Sequence, residues 1–265
     1  MEAVNIADIF ISCKKEKHYS REVMLPQPAL VRVLSGEIRI AYADRSKHFY
    51  AGDTMLIPRN QLGRLSKLPL NGQPCIAVSV LFRQETLQQY YTTHQIAPVQ
   101  HHIPELVELQ NHPLLDSLFD SLQPYFKLAD ALPADIARFK VEEAIRILRA
   151  IHPNVDNQLG YFEEPGKIDL VDFMEKNYMF NLPLEKFGYL TGRSLTTFKK
   201  DFEKSFNGPP GKWLTRKRLE LAHYQIFEKK RKPSDVYFDV GFENLSHFSF
   251  AFKKQFGYNP TTAFE

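Results

Sequence analysis

The sequence is short of cysteine, of long apolar runs and of the histidine patterns that hold metals. Each shortage closes off a class of function. Only two cysteines occur, Cys13 and Cys75. Neither has CxxC or metal-ligand spacing, which suits a reducing cytoplasm and reads as ordinary packing. No run approaches about 18 apolar residues, and residues 1–22 have early acids and no apolar core, so neither a membrane-spanning helix nor a secretory leader is expected. His18 and His48 are isolated. His101 and His102 fall in an expected loop, where adjacent side chains on an extended segment point to opposite sides and chelate poorly. Neither a nucleophile–base arrangement nor a Gly-rich phosphate loop is read in the sequence. The expectation is therefore no metal, no cofactor and no enzyme.

What is present is enough for two globular domains. The chain has 265 residues, 43% of them hydrophobic and 13% aromatic. Its net charge is only +3, but unevenly spread. Residues 1–166 carry 17 Lys+Arg against 19 Asp+Glu, whereas residues 167–265 carry 17 against 12. Within the latter, Arg193–Lys232 holds 12 basic and 4 acidic residues. Such a run is ordinarily a solvated face. Set inside a helical pattern, it points to a polyanionic partner.

The last third contains a repeat. In "GFENLSHFSFAFKKQFGYNP" (241–260), alternate phenylalanines suggest a strand, while Phe248, Phe252 and Phe256 suggest a helical stripe. A second copy, "SLTTFKKDFEKSFNGPP", settles the matter: Leu195, Phe198, Phe202 and Phe206 match Leu245, Phe248, Phe252 and Phe256. Ser194 and Asn244 are matched N-caps, and Pro210 and Pro260 matched stops, so both segments are helices. Each follows a shorter helix ("LPLEKFGYLTGR", "KPSDVYFDVGFE") whose turn glycine, Gly192 or Gly241, permits a positive φ. The chain thus carries two helix–turn–helix units. Between them, "GKWLTRKRLELAHYQIFEKK" reads as one amphipathic helix, with Trp213, Leu214, Leu221 and Ile226 among its apolar positions. Twenty residues would span roughly 30 Å, close to the ~34 Å between successive major-groove faces.

On a helical wheel with Phe248 at zero, Phe252 falls at about 40°, Leu245 at about 60° and Phe256 at about 80°. Phe250 falls at about 200°, Ser246 at about 160° and Lys253 at about 140°. The same wheel turns Thr196, Lys199 and Lys200 outward on the first helix.

These motifs, with "RKRLELA" and "GRSLTTFKKDF", closely resemble the AraC/XylS transcriptional regulators over residues 168–264. The resemblance implies a DNA-binding transcription regulator, an activator acting with RNA polymerase. It places base contacts on Thr196, Lys199 and Lys200 of the first helix and on Ser246, Ser249 and Phe250 of the second. The assigned DNA-binding set also includes Thr197 and Lys253, with Arg193, Lys204 and Lys254 meeting phosphates. Lysine can donate to guanine and threonine can touch a thymine methyl, whereas Phe250 cannot form a bidentate pair. The first unit is therefore expected to discriminate more. Phe250 packing on the N-terminal domain or on a second subunit is the alternative. Tyr237 departs from the family's small residue at that place, where the first unit has Gly188, and implies a different packing of the second unit's helices.

From Ala29 the pattern alternates polar and apolar, with turns at Ser35–Gly36, 43–46 and 51–53, and "PCIAVSVLFRQE" adds a strand. "GEIRI…YAGDTMLIP" resembles the cupin barrel that heads many AraC/XylS members, over about residues 15–85. The expected metal-ligand set is missing: Pro58, Arg59 and Asn60 follow where a histidine would stand. Residues 104–150 read as a helical pair, with Leu114, Leu115, Leu118 and Leu122 as one stripe and Phe139, Ala144, Ile147 and Leu148 on the second helix. The pair can cover the barrel or, as in the family, dimerise. Expected boundaries are 1–151 for a cupin-like sensing and dimerisation domain, 152–167 for a linker and 168–265 for DNA binding. The expected fold is multidomain α+β, a barrel with a helical pair followed by an all-α domain. Control by a small-molecule effector is expected, or else by a protein partner, since the helical pair resembles that of virulence secretion regulators governed by partner proteins. A barrel enzyme is the remote alternative.

Overall fold

A computed structural model describes residues 4–6, 8–14, 19–42, 45–99, 105–126 and 133–264. His18, His101, His102 and residues 43–44 of the expected turn lie outside the described residues. The chain divides into two units between Glu163 and Glu164.

The first unit contains two antiparallel sheets. One has the order β1 (Val4–Ile6), β2 (Ile9–Lys14), β9 (Cys75–Leu81), β4 (Ala29–Ser35), β7 (Thr54–Ile57), β10 (Val107–Leu109). The other has the order β3 (Tyr19–Met24), β8 (Leu62–Leu68), β5 (Glu37–Ala41), β6 (Ser46–Tyr50). Val31, Val33, Met55, Cys75 and Ala77 from the first sheet form one buried cluster with Ile38, Ile40 and Phe49 from the second. The sheets therefore face each other across a shared core of buried side chains. The opposite face of the six-stranded sheet presents Ile9, Leu30, Leu56, Val78 and Val80 to helices α1 (Gln84–Thr93), α2 (Pro113–Leu122), α3 (Ala134–Ile151) and α4 (Asp156–Leu159). Covering both faces explains why β4 and β7 are buried almost throughout, while β6 keeps the alternation of a strand with one wet face.

The helical pair thus covers a sheet, but two residues assigned to its inner stripes face out. Leu114 is 45% exposed and Phe139 is 62% exposed, because Leu115, Leu118, Phe119 and Leu122 on α2 and Ala137, Val141, Ala144 and Ile145 on α3 take the inner positions. Helix α1 and strand β10 were not read in the sequence. The stretch expected as a linker is partly core: Val155 and Leu159 are buried. Asp156 accepts from Tyr91 Oη at 2.5 Å and from Arg149 Nε at 3.0 Å.

The second unit is helical: α5 (Leu170–Asn177), α6 (Leu184–Leu190), α7 (Leu195–Phe206), α8 (Pro210–His223), α9 (Pro233–Val236) and α10 (Leu245–Phe256). The expected single helix over 211–230 ends as α at His223 and continues as a π turn, Tyr224–Glu228. Neither proline nor glycine marks the change, which is why sequence did not signal it. The α-helical part has 14 residues, about 21 Å, so a span of roughly 30 Å requires the π turn as well.

Candidate DNA interface

Both second helices are built alike. On α7, Ser194 Oγ accepts from Thr197 N at 3.3 Å. On α10, Asn244 Oδ1 accepts from Ser246 N at 2.8 Å and from His247 N at 3.1 Å. These caps satisfy amides that the first helical turn leaves without partners. Asn207 and Gly257 end the two helices in the left-handed conformation. Phe198–Phe202 and Phe248–Phe252 each stand 5.7 Å apart between ring centroids, and all four rings are fully buried.

The turns before them differ by one residue. Gly192 (φ +65°) and Gly241 (φ +92°) are equivalent, and Arg193 N and Phe242 N each donate at 2.9 Å to the carbonyl five residues earlier, Gly188 or Tyr237. Glu243 is then extra before the second cap. At Gly188 a Cβ would lie 3.0 Å from Arg193 O and 3.4 Å from Phe198 Cβ, so a side chain there would require these neighbours to give by a few tenths of an ångström. In the second unit Tyr237 packs partly buried against the core of Val236, Val240 and Phe248, with a leading helix of only 4 residues.

With the aromatic stripes turned in, the opposite faces carry the assigned residues. Thr196, Thr197, Lys199, Lys200 and Lys204 on α7 are exposed, as are Ser246, Lys253 and Lys254 on α10. None of these five lysines makes an ion pair or hydrogen bond with a described residue through its side chain. Phe250 is 69% exposed, as the wheel requires, but Leu245, placed with the stripe, is 40% exposed in the first turn of α10. Ser249 is half-buried and its Oγ donates to Leu245 O at 2.8 Å, so its proton is committed and only its lone pairs remain for a base.

Arg193 requires correction. Its side chain is only 7% exposed. Nε donates to Asp201 Oδ2 at 3.0 Å, and Nη1 to Ile168 O at 3.0 Å and Thr191 O at 2.6 Å. A guanidinium so occupied braces the turn and start of α7 from within, and the phosphate role is withdrawn. That hydrogen bond holds the Asp201 carboxyl below the usual carboxylate range, with desolvation opposing and Lys167 assisting. A depressed folded pKa stabilises above the unfolded value and ceases to as pH falls through the folded one. Arg193→Met is therefore expected to lower the melting temperature, by a margin that narrows at acid pH. The salt slope of DNA binding should stay at the wild-type value. Melts across pH and binding across salt check both.

The sequence reading missed two cations. Lys212, Thr215, Arg216 and Leu219 of α8 and Ala251 and Lys254 of α10 line an open groove of about 530 Å³. Lys212 and Arg216 lie one helical turn apart, a spacing that a wheel of α8 would have revealed. Arg216 also meets Glu220 at 3.7 Å.

The first unit does hold one nucleophile–base line that the sequence reading did not find. Ser46 Oγ lies 3.4 Å from His48 Nε2, and His48 Nδ1 lies 2.8 Å from Glu37 Oε1. Ser46 and His48 are exposed on the edge strand β6, and Arg39 claims the same carboxylate through Nε at 2.6 Å and Nη2 at 3.0 Å. Arg39 is the chief cause of the lowered Glu37 pKa. This open ion cluster lacks the water-excluded setting that acyl transfer needs. Among the described residues, no group of three or more His, Cys, Asp or Glu could hold a metal ion. No described helix is long and apolar enough to cross a membrane.

Comparison with known proteins supplies family context. Residues 190–265 match the helix-turn-helix domain family, and residues 28–151 match the ExsA N-terminal regulatory domain. The virulence regulon transcriptional activator VirF of Yersinia enterocolitica is 28% identical over 156 residues, 57% of this chain and 56% of that protein. The chain thus spans about half the length of the first curated relatives it matches. The HTH-type transcriptional regulator ExsA of Pseudomonas aeruginosa is 23% identical over 233 residues, 86% of this chain and 83% of that protein. Among solved structures, ToxT from Vibrio cholerae is 12% identical, with 98% of each chain covered and a TM-score of 0.45.

Proposed function

We propose, because the chain belongs to the AraC/XylS family of helix-turn-helix regulators, that it binds duplex DNA sequence-specifically through α7 and α10 and activates transcription. The carrying observation is the pair of capped helices whose exposed faces bear lysines that make no ion pair or side-chain hydrogen bond with a described residue. Thr196, Lys199 and Lys200 read bases, Ser246 and Phe250 contact the second site, and Lys204, Lys253 and Lys254 with Lys212 and Arg216 meet phosphates. Such a protein works in the cytoplasm, alongside RNA polymerase. Selection from random duplex DNA tests the reading: a protein that enriches no sequence is not this regulator.

Lys200→Ala is expected to cost about 1–3 kcal/mol on the selected site and to relax selection at one or two bases. Lys254→Ala should weaken all sequences evenly and reduce the salt slope by about one. A Lys200→Ala selection profile identical to wild type would remove Lys200 from the readers.

For the first unit, the apolar side chains left exposed on its helical pair favour control by a protein partner over a small molecule. Leu114 and Phe139, exposed on α2 and α3, are suited to pairing with that partner or with a second copy. Purified full-length protein titrated with candidate partners, with and without Phe139→Ser, tests this role.

A further inference from the structure

Arg218 lies in the middle of α8, between the two reader units, and its planar fork reaches both of them. Nε donates to Tyr178 O at 2.8 Å and Nη2 to Phe180 O at 2.7 Å, two carbonyls just past the end of α5 on the approach to the first unit. Nη1 reaches Gly241 O at 3.3 Å, in the turn of the second unit. That turn is pressed against the same segment. A Cβ at Gly241 would fall 2.6 Å from Met179 O and 2.8 Å from Arg218 Nε, and the residue's φ of +92° already favours glycine. A second link runs beside it, from Asn181 Nδ2 to Glu243 Oε1 at 2.7 Å. Glu243 is the residue by which the second turn exceeds the first. The extra residue therefore supplies a tie between the units.

From this geometry we infer that Arg218 is a positioning residue, welding the two helix–turn–helix units into one rigid reader that measures the spacing of its two half-sites. A guanidinium serves because several donors in a fixed plane hold carbonyls from separate segments at once, which a lysine ammonium cannot do with the same orientation. Inserting one base pair moves the second half-site by about 3.4 Å and turns it by about 35° around the duplex. A welded reader cannot follow that displacement, whereas a hinged one can.

The inference rests on the DNA reading above, and its test has one arm that needs DNA and one that does not. In the first, full-length protein binds the duplex selected by wild type and versions with one base pair added or removed between half-sites. Wild type should lose at least about tenfold in affinity on either change. Arg218→Lys and Arg218→Ala should bind more weakly throughout but lose less than about threefold between spacings. If melting shows that Arg218→Ala does not fold, Arg218→Lys and Asn181→Ala carry the comparison. In the second arm, spin labels replace Lys204 and Lys253 in a Cys13→Ser, Cys75→Ala background. Wild type should give one narrow distance, and the Arg218 variants a broadened one. Folded variants that keep both the wild-type spacing ratio and the narrow distance would overturn the inference, leaving Arg218 a stabilising contact only. A wild type that selects no duplex sinks the DNA reading instead, and the distance measurement then decides on the weld alone.

Discussion

Replacing Phe252 by alanine is expected to cost about 3–5 kcal/mol of the second unit's stability, as for a core aromatic whose cavity cannot collapse. The ring is fully buried and lies 5.7 Å from Phe248, 4.6 Å from Phe256 and 6.1 Å from His223 between centroids. Removing it takes one wall from these three rings and from Phe227 and Tyr258 as well. Phe250, two residues earlier and 69% exposed, should behave oppositely. Phe250→Ala should leave stability within about 0.5 kcal/mol of wild type. It should still weaken binding, mostly at duplexes bearing thymine under α10, where covering the ring by DNA is favourable. Trp213 is the single tryptophan and lies in the second unit, so fluorescence melts report that unit within the full chain. If the two substitutions destabilise it equally, the assignment of faces on α10 is wrong. If Phe250→Ala leaves DNA binding intact and alters only self-association, its ring serves a protein surface.

The second large effect expected is on salt dependence. Lys204, Lys212, Arg216, Lys253 and Lys254, with one base-reading lysine beside the backbone, would neutralise about six phosphates, giving a slope of log K against log salt near roughly −5. Raising salt from about 50 to about 200 mM should then lower affinity on the order of a thousandfold. A gel-shift or anisotropy titration measures it. A slope close to zero would mean that these cations do not meet the backbone, however well the protein bound. Arg193→Met is the informative control, because its charge is already spent on Asp201 and two carbonyls.

The sequence by itself determined the elements whose signal lies within a few turns of chain. The phenylalanine spacing, paired caps and paired prolines specify α7 and α10, because a helix buries residues three and four apart whatever lies beyond it. The outward positions of Lys199, Lys200 and Phe250 follow from the same period. Polar–apolar alternation likewise marks β6, which keeps one wet face.

Only the tertiary structure decided what depends on residues far apart in the chain. Strands β4 and β7 lose their alternation because helices cover the face that the second sheet leaves bare. Leu114 and Phe139 read as stripe members, yet neighbouring positions on α2 and α3 fill the inner face instead. Among the cations the divergence is sharpest. Arg193 and Lys199 both look like phosphate or base contacts at the start of a reader helix. One folds back onto Asp201 and the carbonyls of Ile168 and Thr191, while the other stays exposed. Arg218 is the third member of the basic run Arg216–Lys217–Arg218, and the helical period turns it about 200° from Arg216 without saying which groups it meets. Its role comes from carbonyls 40, 38 and 23 residues away. A charge is a local property, but what it neutralises is set by whichever groups the fold brings within about 3 Å.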